Sequence, residues 1–204
     1  EWKIRINSVI KNQPIKSFIR QDENLLTGLL TINESKMKDL EINVYGGKFE
    51  DSINIIRSQG SIKSIYVKDS TSDSLDIDFS NLDITDIKII NSGNDCIDLS
   101  SGNYLIKNAN LKKCNDKGIS LGENSNLLIN NASISDSKIG LVSKDSSKLF
   151  LKSGEISNSE ICLAAYRKKQ EFYGGIISAP SNICKGKKIL IQKHSSYKNY
   201  EAKN

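Results

Sequence analysis

The sequence predicts an all-β fold, a single-stranded right-handed parallel β-helix of about seven coils of 20–22 residues with irregular N- and C-terminal caps. Three observations carry this. Leu75, Ile97 and Ile119 lie 22 residues apart, and their partners two places on, Ile77, Leu99 and Leu121, keep the same interval. A sequence period of about 20–50 residues marks stacked supersecondary units. The apolar residues also fall at i and i+2, the alternation of a strand with one buried face, and not at the i+3 and i+4 spacing of a helix. Further files with the same interval run through Ile62, Ile84 and Ile106 and through Val67, Ile89 and Leu111, with Asn, Ser, Asp and Gly turns between them. Three short strands per coil follow.

Taken in order, residues 1–25 stand outside the repeat and are expected to cap the open end of the core. Within them Trp2, Ile4 and Ile6 alternate as a strand would. Residues 26–190 form the β-helix. LLTGLLTI is its first rung, with Leu29 and Ile32 inward. The main file begins at Ile53 and Ile55 and continues past Ile119 through Ile139 and Leu141, then Ile161 and Leu163. On this reading the connection into the file is short at Phe49–Ile53. It is longer at Val67–Leu75, Ile89–Ile97 and Leu111–Ile119, and short again at Ile134–Ile139 and Ile156–Ile161. Lengthened loops on three successive rungs predict a wall, and a site beside it. After Ala165 the beat decays. ICKGKKILIQ is a last strand, and residues 191–204 are a polar tail carrying the one histidine, His194. The body of the fold therefore lacks the histidine of a Ser-His-Asp or Cys-His arrangement.

The two prolines, Pro14 and Pro180, fall outside the strict repeat, as interior ladders require. No apolar run of about 18 residues is present, so no membrane-spanning helix is expected. With neither an initiator Met nor a signal peptide, Glu1 is expected to open a processed chain or an excised domain. The net charge is +5, and the lysines are scattered apart from Lys185, Lys187 and Lys188 and the Arg167-Lys168-Lys169 cluster. Aromatics do not interleave with these clusters, which favours a solvated face over a nucleic-acid strip. Cys162 and Cys184 lie one rung apart, each after an isoleucine, and are within reach of a disulfide or stay as buried thiols. A bridge there implies export. Cys96 and Cys114 sit at different points of their rungs and make the poorer pair.

Stacking converts sequence offsets into columns. One holds Asp51, Asp73 and Asp95, then Lys117; the next holds Asn54, Asp76 and Asp98, then Ser120, with Asp78 alongside. Equivalent positions of adjacent rungs lie about 5 Å apart, and like charges there are destabilising. Three arrangements relieve them. Asp73, Asp76, Asp95 and Asp98 could share a Ca²⁺ ion. A carboxyl with raised proton affinity could act as an acid or base. Lys117, Lys112, Lys113 and Arg57 could neutralise the group.

Three stretches, Thr71-Ser72-Asp73, Asn94-Asp95-Cys96-Ile97 and Asp116-Lys117-Gly118-Ile119-Ser120-Leu121-Gly122, resemble the pectin-lyase-like superfamily, most closely its polygalacturonase pattern, over about fifty residues. The resemblance implies the β-helix fold and, by position, catalytic roles for Asp73 and Asp95. It also shows departures. Asn94 stands where the family has its general acid, Lys117 where it has a histidine, and Gly140 to Val142 where it has the Arg-x-Lys that holds the substrate carboxylate. Three function classes follow. The first is a non-catalytic module of an extracellular or bacterial-surface protein, which recognises polysaccharide or Ca²⁺ through Asp76, Asp98, Asn94 and Arg57 beside Asp73 and Asp95. The second is a uronan lyase, epimerase or hydrolase using Asp73, Asp95 and Lys117. A trimeric phage-type spike segment is a third. The expected partners are a polysaccharide and the remainder of a larger protein, with no nucleic acid and no membrane span.

Overall fold

A computed structural model describes residues 2–8, 18–184 and 187–201. Glu1, Pro14 and Lys185, with parts of the expected cap and tail, lie outside them. Fifteen strands follow in order: β1 (Lys3–Asn7), β2 (Gly28–Asn33), β3 (Lys36–Tyr45), β4 (Asp51–Ile56), β5 (Gln59–Ser70), β6 (Asp73–Asp78), β7 (Asn81–Ser92) and β8 (Ile97–Ser100). Then come β9 (Asn103–Gly122), β10 (Asn126–Lys144), β11 (Lys148–Ser157), β12 (Ile161–Tyr166), β13 (Ile176–Pro180), β14 (Ile189–Ile191) and β15 (Ser196–Tyr200). They stack in parallel as a β-helix of about eight turns.

Two ladders run the length of the stack. One joins β1, β3, β5, β7, β9, β10, β11, β13 and β15; the other joins β2, β4, β6, β8, β9, β10, β12 and β14. In the second ladder Ile53 pairs with Leu75, Leu75 with Ile97, and Ile97 with Ile119. All four side chains are fully buried. Each such residue contributes about 1.5–3 kcal/mol of hydrophobic burial. The Ile62 and Val67 files are in register as well, and a file through Ile65, Ile87, Ala109 and Ala132 lies between them.

The second and third strands of each coil are continuous rather than separate. In five successive coils one residue in the left-handed region turns the corner that follows the Val67 file: Asp69, Asn91, Lys113, Asp136 and Asn158. Asn and Asp tolerate that conformation better than other side chains. They also tie the corner together, because Asn91 Nδ2 donates to Asp69 Oδ1 at 2.8 Å and Asn158 Nδ2 to Asp136 Oδ1 at 3.1 Å.

Several expectations are corrected. The main file does not pass through Ile139 and Ile161. Leu141 pairs with Ile119 and Leu163 with Leu141, while half-buried Ile139 falls on Lys117 and Ile161 on Ile139. The second position of the pair becomes Ser143 and Ala165. A slip of two residues preserves which side chains face inward, so alternation alone does not reveal it. The expected wall of long loops disappears with this register. Val44, not Phe49, shares the file of Val67, and a single irregularity between Ser137 and Ile139 is all that changes the later connection. In the first rung Leu30 and Ile32, not Leu29, pair with the inward Ile53 and Ile55. The expected cap and tail join the stack: β1 pairs with β3, β15 pairs with β13, and the Tyr200 ring stacks on Phe150 at 5.5 Å.

Both cysteine pairs are bridged, with Cα atoms 5.7 Å apart for Cys162–Cys184 and 5.4 Å for Cys96–Cys114. The second pair was the poorer one by rung position. One coil below, at the equivalent places, Ser74 Oγ donates to Ser92 Oγ at 2.9 Å. The bridge thus occupies a diagonal contact across the turn, which a purely vertical comparison of rungs does not show.

Candidate functional site

The outward face of β4, β6 and β8 presents the acidic columns. Alternation sends Ile53, Leu75 and Ile97 inward and their neighbours Asn54, Asp76 and Asp98 outward, with Asn54 paired to Asp76 and Asp76 to Asp98 across the strands. Asp51 pairs with Asp73 in the same way. Further along these columns the chemistry changes. Ser120, Val142 and Ala164 continue from Asp98, and Ser100, Gly122, Lys144 and Tyr166 continue from Asp78. The acids are therefore confined to the N-terminal half of the face.

Two carboxylates at the strand entrance, Asp73 and Asp95, cap the next coil. Asp73 Oδ1 accepts the Asp95 backbone N–H at 2.8 Å and the Asn94 side-chain amide at 2.8 Å. Asp95 Oδ1 accepts the Lys117 N–H at 2.9 Å, and Lys117 Nζ lies 3.2 and 3.3 Å from the two Asp95 oxygens. Lys117 Nζ also donates to Asp116. Asn94 thus fixes Asp73, and Lys117 neutralises Asp95. Burial by itself would lower the Lys117 ammonium, but Asp95 and Asp116 outweigh it and hold the group above the ordinary lysine range. A base needs the free amine, so Lys117 acts here as a fixed positive charge.

Beside this pair lies an open cleft of about 430 Å³. Asp51, Asp73, Asp76, Asp78 and Asp98 line it with Glu50, and Leu25, Leu26 and Thr27 form one wall. Among the described residues no lysine or arginine lines it. Four of its carboxyls hold protons unusually well. Burial pushes Asp51 up to about 7, and burial with the neighbouring Asp95 pushes Asp73 up to about 7. Asp76 is raised well above the usual range by burial, then by Asp78 and Asp51. Burial raises Asp78 too, against the hydrogen bond from Ser100. Asp95 reaches about 6, because burial outweighs the pull of Lys117.

Of the residues singled out from sequence, Asp73, Asp76 and Asp98 share the cleft. Asp95 and Lys117 form the ion pair at its flank, and Asn94 supports Asp73. Arg57 stands apart on a corner, its guanidinium 5.7 Å over the Phe79 ring. The four aspartates suggested for Ca²⁺ do not converge on one point: among the described residues no three Asp, Glu, His or Cys side chains are placed to hold a metal ion. One cation on this face is absent from the sequence reading. Lys144, buried on the same face, donates to Ser120 Oγ at 2.8 Å and lies 3.8 Å from Asp98 Oδ1. It stands 22 residues after Gly122, so continuing that column by the period finds it. No protein-family model, curated protein or solved structure matches the chain.

Proposed function

We propose that the protein is a non-catalytic β-helix module that recognises carbohydrate through its acidic cleft. The observation that carries this is a cleft lined, among the described residues, by six carboxyl side chains and by no lysine or arginine. At a pH above their raised proton affinities these carboxyls are ionised and only accept hydrogen bonds. The cleft therefore suits a ligand that brings donors or positive charge, such as the hydroxyls of a neutral glycan or the amine of an amino sugar. A uronate would meet repulsion, and the nearby lysines are committed to Asp95, Asp116, Ser120 and Asp98. Export to the cell exterior or surface accords with two disulfides. Calorimetric titration with neutral and glucosamine oligomers, each with and without Ca²⁺, tests the proposal. Heat that disappears in Asp76→Asn supports it, and no heat in any arm removes it.

One observation favours a second function. An Asp73 carboxyl raised to about 7 is partly protonated near neutrality, as a glycosidase acid must be. A reducing-end assay on neutral and acidic polysaccharides decides this, because turnover abolished by Asp73→Asn would make the protein a hydrolase.

A further inference from the structure

The opposite character appears on another face. The outward positions of β3, β5, β7 and β9 form a shallow furrow of about 720 Å³ lined by Tyr45, Tyr66, Asn43, Asn108, Asn110 and Lys88. The rings of Tyr45 and Tyr66 meet edge to face at 5.4 Å. Arg5 lies 5.5 Å over Tyr45, and Lys88 lies 5.9 Å over Tyr66. The register extends this charge. Lys68 pairs with Tyr45, and Lys112 shares its column two coils further on, past Ile90. Both lysines are exposed. Among the acids nearby, Glu41 is occupied by Lys3 and Lys63, and Asp86 accepts the Asn108 amide at 2.9 Å.

We propose that this furrow is a second binding site, separate from the acidic cleft, for an anionic glycan. Tyrosine offers a large rigid surface that is apolar on its faces and polar at its tip, and asparagines beside it supply adaptable donors and acceptors. That combination fits the C–H faces and hydroxyls of a sugar ring. Arg5, Lys68, Lys88 and Lys112 supply the charge that sulfate or carboxylate groups complement. Single-stranded nucleic acid fits less well. Successive bases stack on aromatic platforms, whereas these two rings are inclined at 61° to one another, and Asp86 sits within the furrow.

The test is direct binding of a heparin-derived hexasaccharide, with a neutral hexasaccharide and oligo(dT) as comparators. The wild-type chain is compared with Tyr66→Ala, Lys88→Ala and, as a control in the other site, Asp76→Asn. The proposal expects the sulfated sugar to bind most tightly. Tyr66→Ala and Lys88→Ala should each weaken it about tenfold, while Asp76→Asn leaves it unchanged. The absence of sulfated-sugar binding, equal binding by both furrow variants and wild type, or a preference for oligo(dT) would overturn it. None of these outcomes bears on the acidic cleft, whose ligands and variants differ. Circular dichroism confirms that the variants retain the fold, and Tyr66→Phe, which keeps the ring, should restore most of the binding.

Discussion

Asp95 receives both ends of Lys117: the backbone N–H at 2.9 Å and the ammonium at 3.2 Å, on the same carboxylate oxygen. The side chains are only 4% and 15% exposed, so this pair is shielded from water. Removing one partner of such a pair strands the other. Lys117→Met is expected to destabilise the protein by about 3–5 kcal/mol. Asp95→Asn combined with Lys117→Met should recover part of that loss. Urea denaturation of the three variants measures both.

The acidic cleft predicts a pH dependence with a definite sign. Burial pushes Asp51 and Asp73 up to about 7 in the folded chain, against an ordinary aspartate value of 3.8. Between about pH 4 and pH 7 the folded state binds more protons than the unfolded state. Their contribution to stability is fully present below about pH 4 and is lost as the pH rises through 7. Half-buried Glu41, lowered by Lys63 and Lys3, acts in the opposite sense but at lower pH. Thermal melts should therefore give a higher Tm at about pH 5 than at about pH 8, and Asp73→Asn should narrow the difference.

The register makes a paired prediction. Leu141→Ala opens a cavity in the main file and should cost about 2–5 kcal/mol. Ile139→Ala, at a half-buried position outside the file, should cost less than about 1.5 kcal/mol. Chemical denaturation compares them, and equal losses would place the boundary of the file elsewhere.

The Cys96–Cys114 bridge closes an 18-residue separation. Replacing both cysteines with serine should cost about 3 kcal/mol through the freer unfolded chain. The fold should survive, since Ser74 and Ser92 make the hydroxyl version of the same contact one coil below. Denaturation of the double-serine chain and circular dichroism check the two halves of this statement.

The stack was legible because burial repeats at every rung: Leu75, Ile97 and Ile119 cannot leave the interior without exposing a full apolar side chain. What was not legible follows from weaker constraints. Ile139 and Leu141 are both apolar and share a face, so nothing local chooses between them. Lys144 reaches Asp98 from two coils away, and its role depends on a column beyond the recognised pattern. Residues 196–200 join the sheet through backbone hydrogen bonds, which any sequence can make. The acidic columns themselves were read correctly as vertical neighbours, but whether they gather around an ion depends on side-chain directions that spacing does not encode.

The cleft is argued to work through ionised carboxylates, so protons and ligand should compete for it. The most direct measurement is the affinity of a glucosamine oligomer at about pH 8 and at about pH 5, for the wild-type chain and for Asp76→Asn. Binding that is tight at the higher pH, weaker at the lower, and lost in the variant is the predicted result. No binding at the higher pH, or an affinity that neither pH nor the substitution alters, would contradict it.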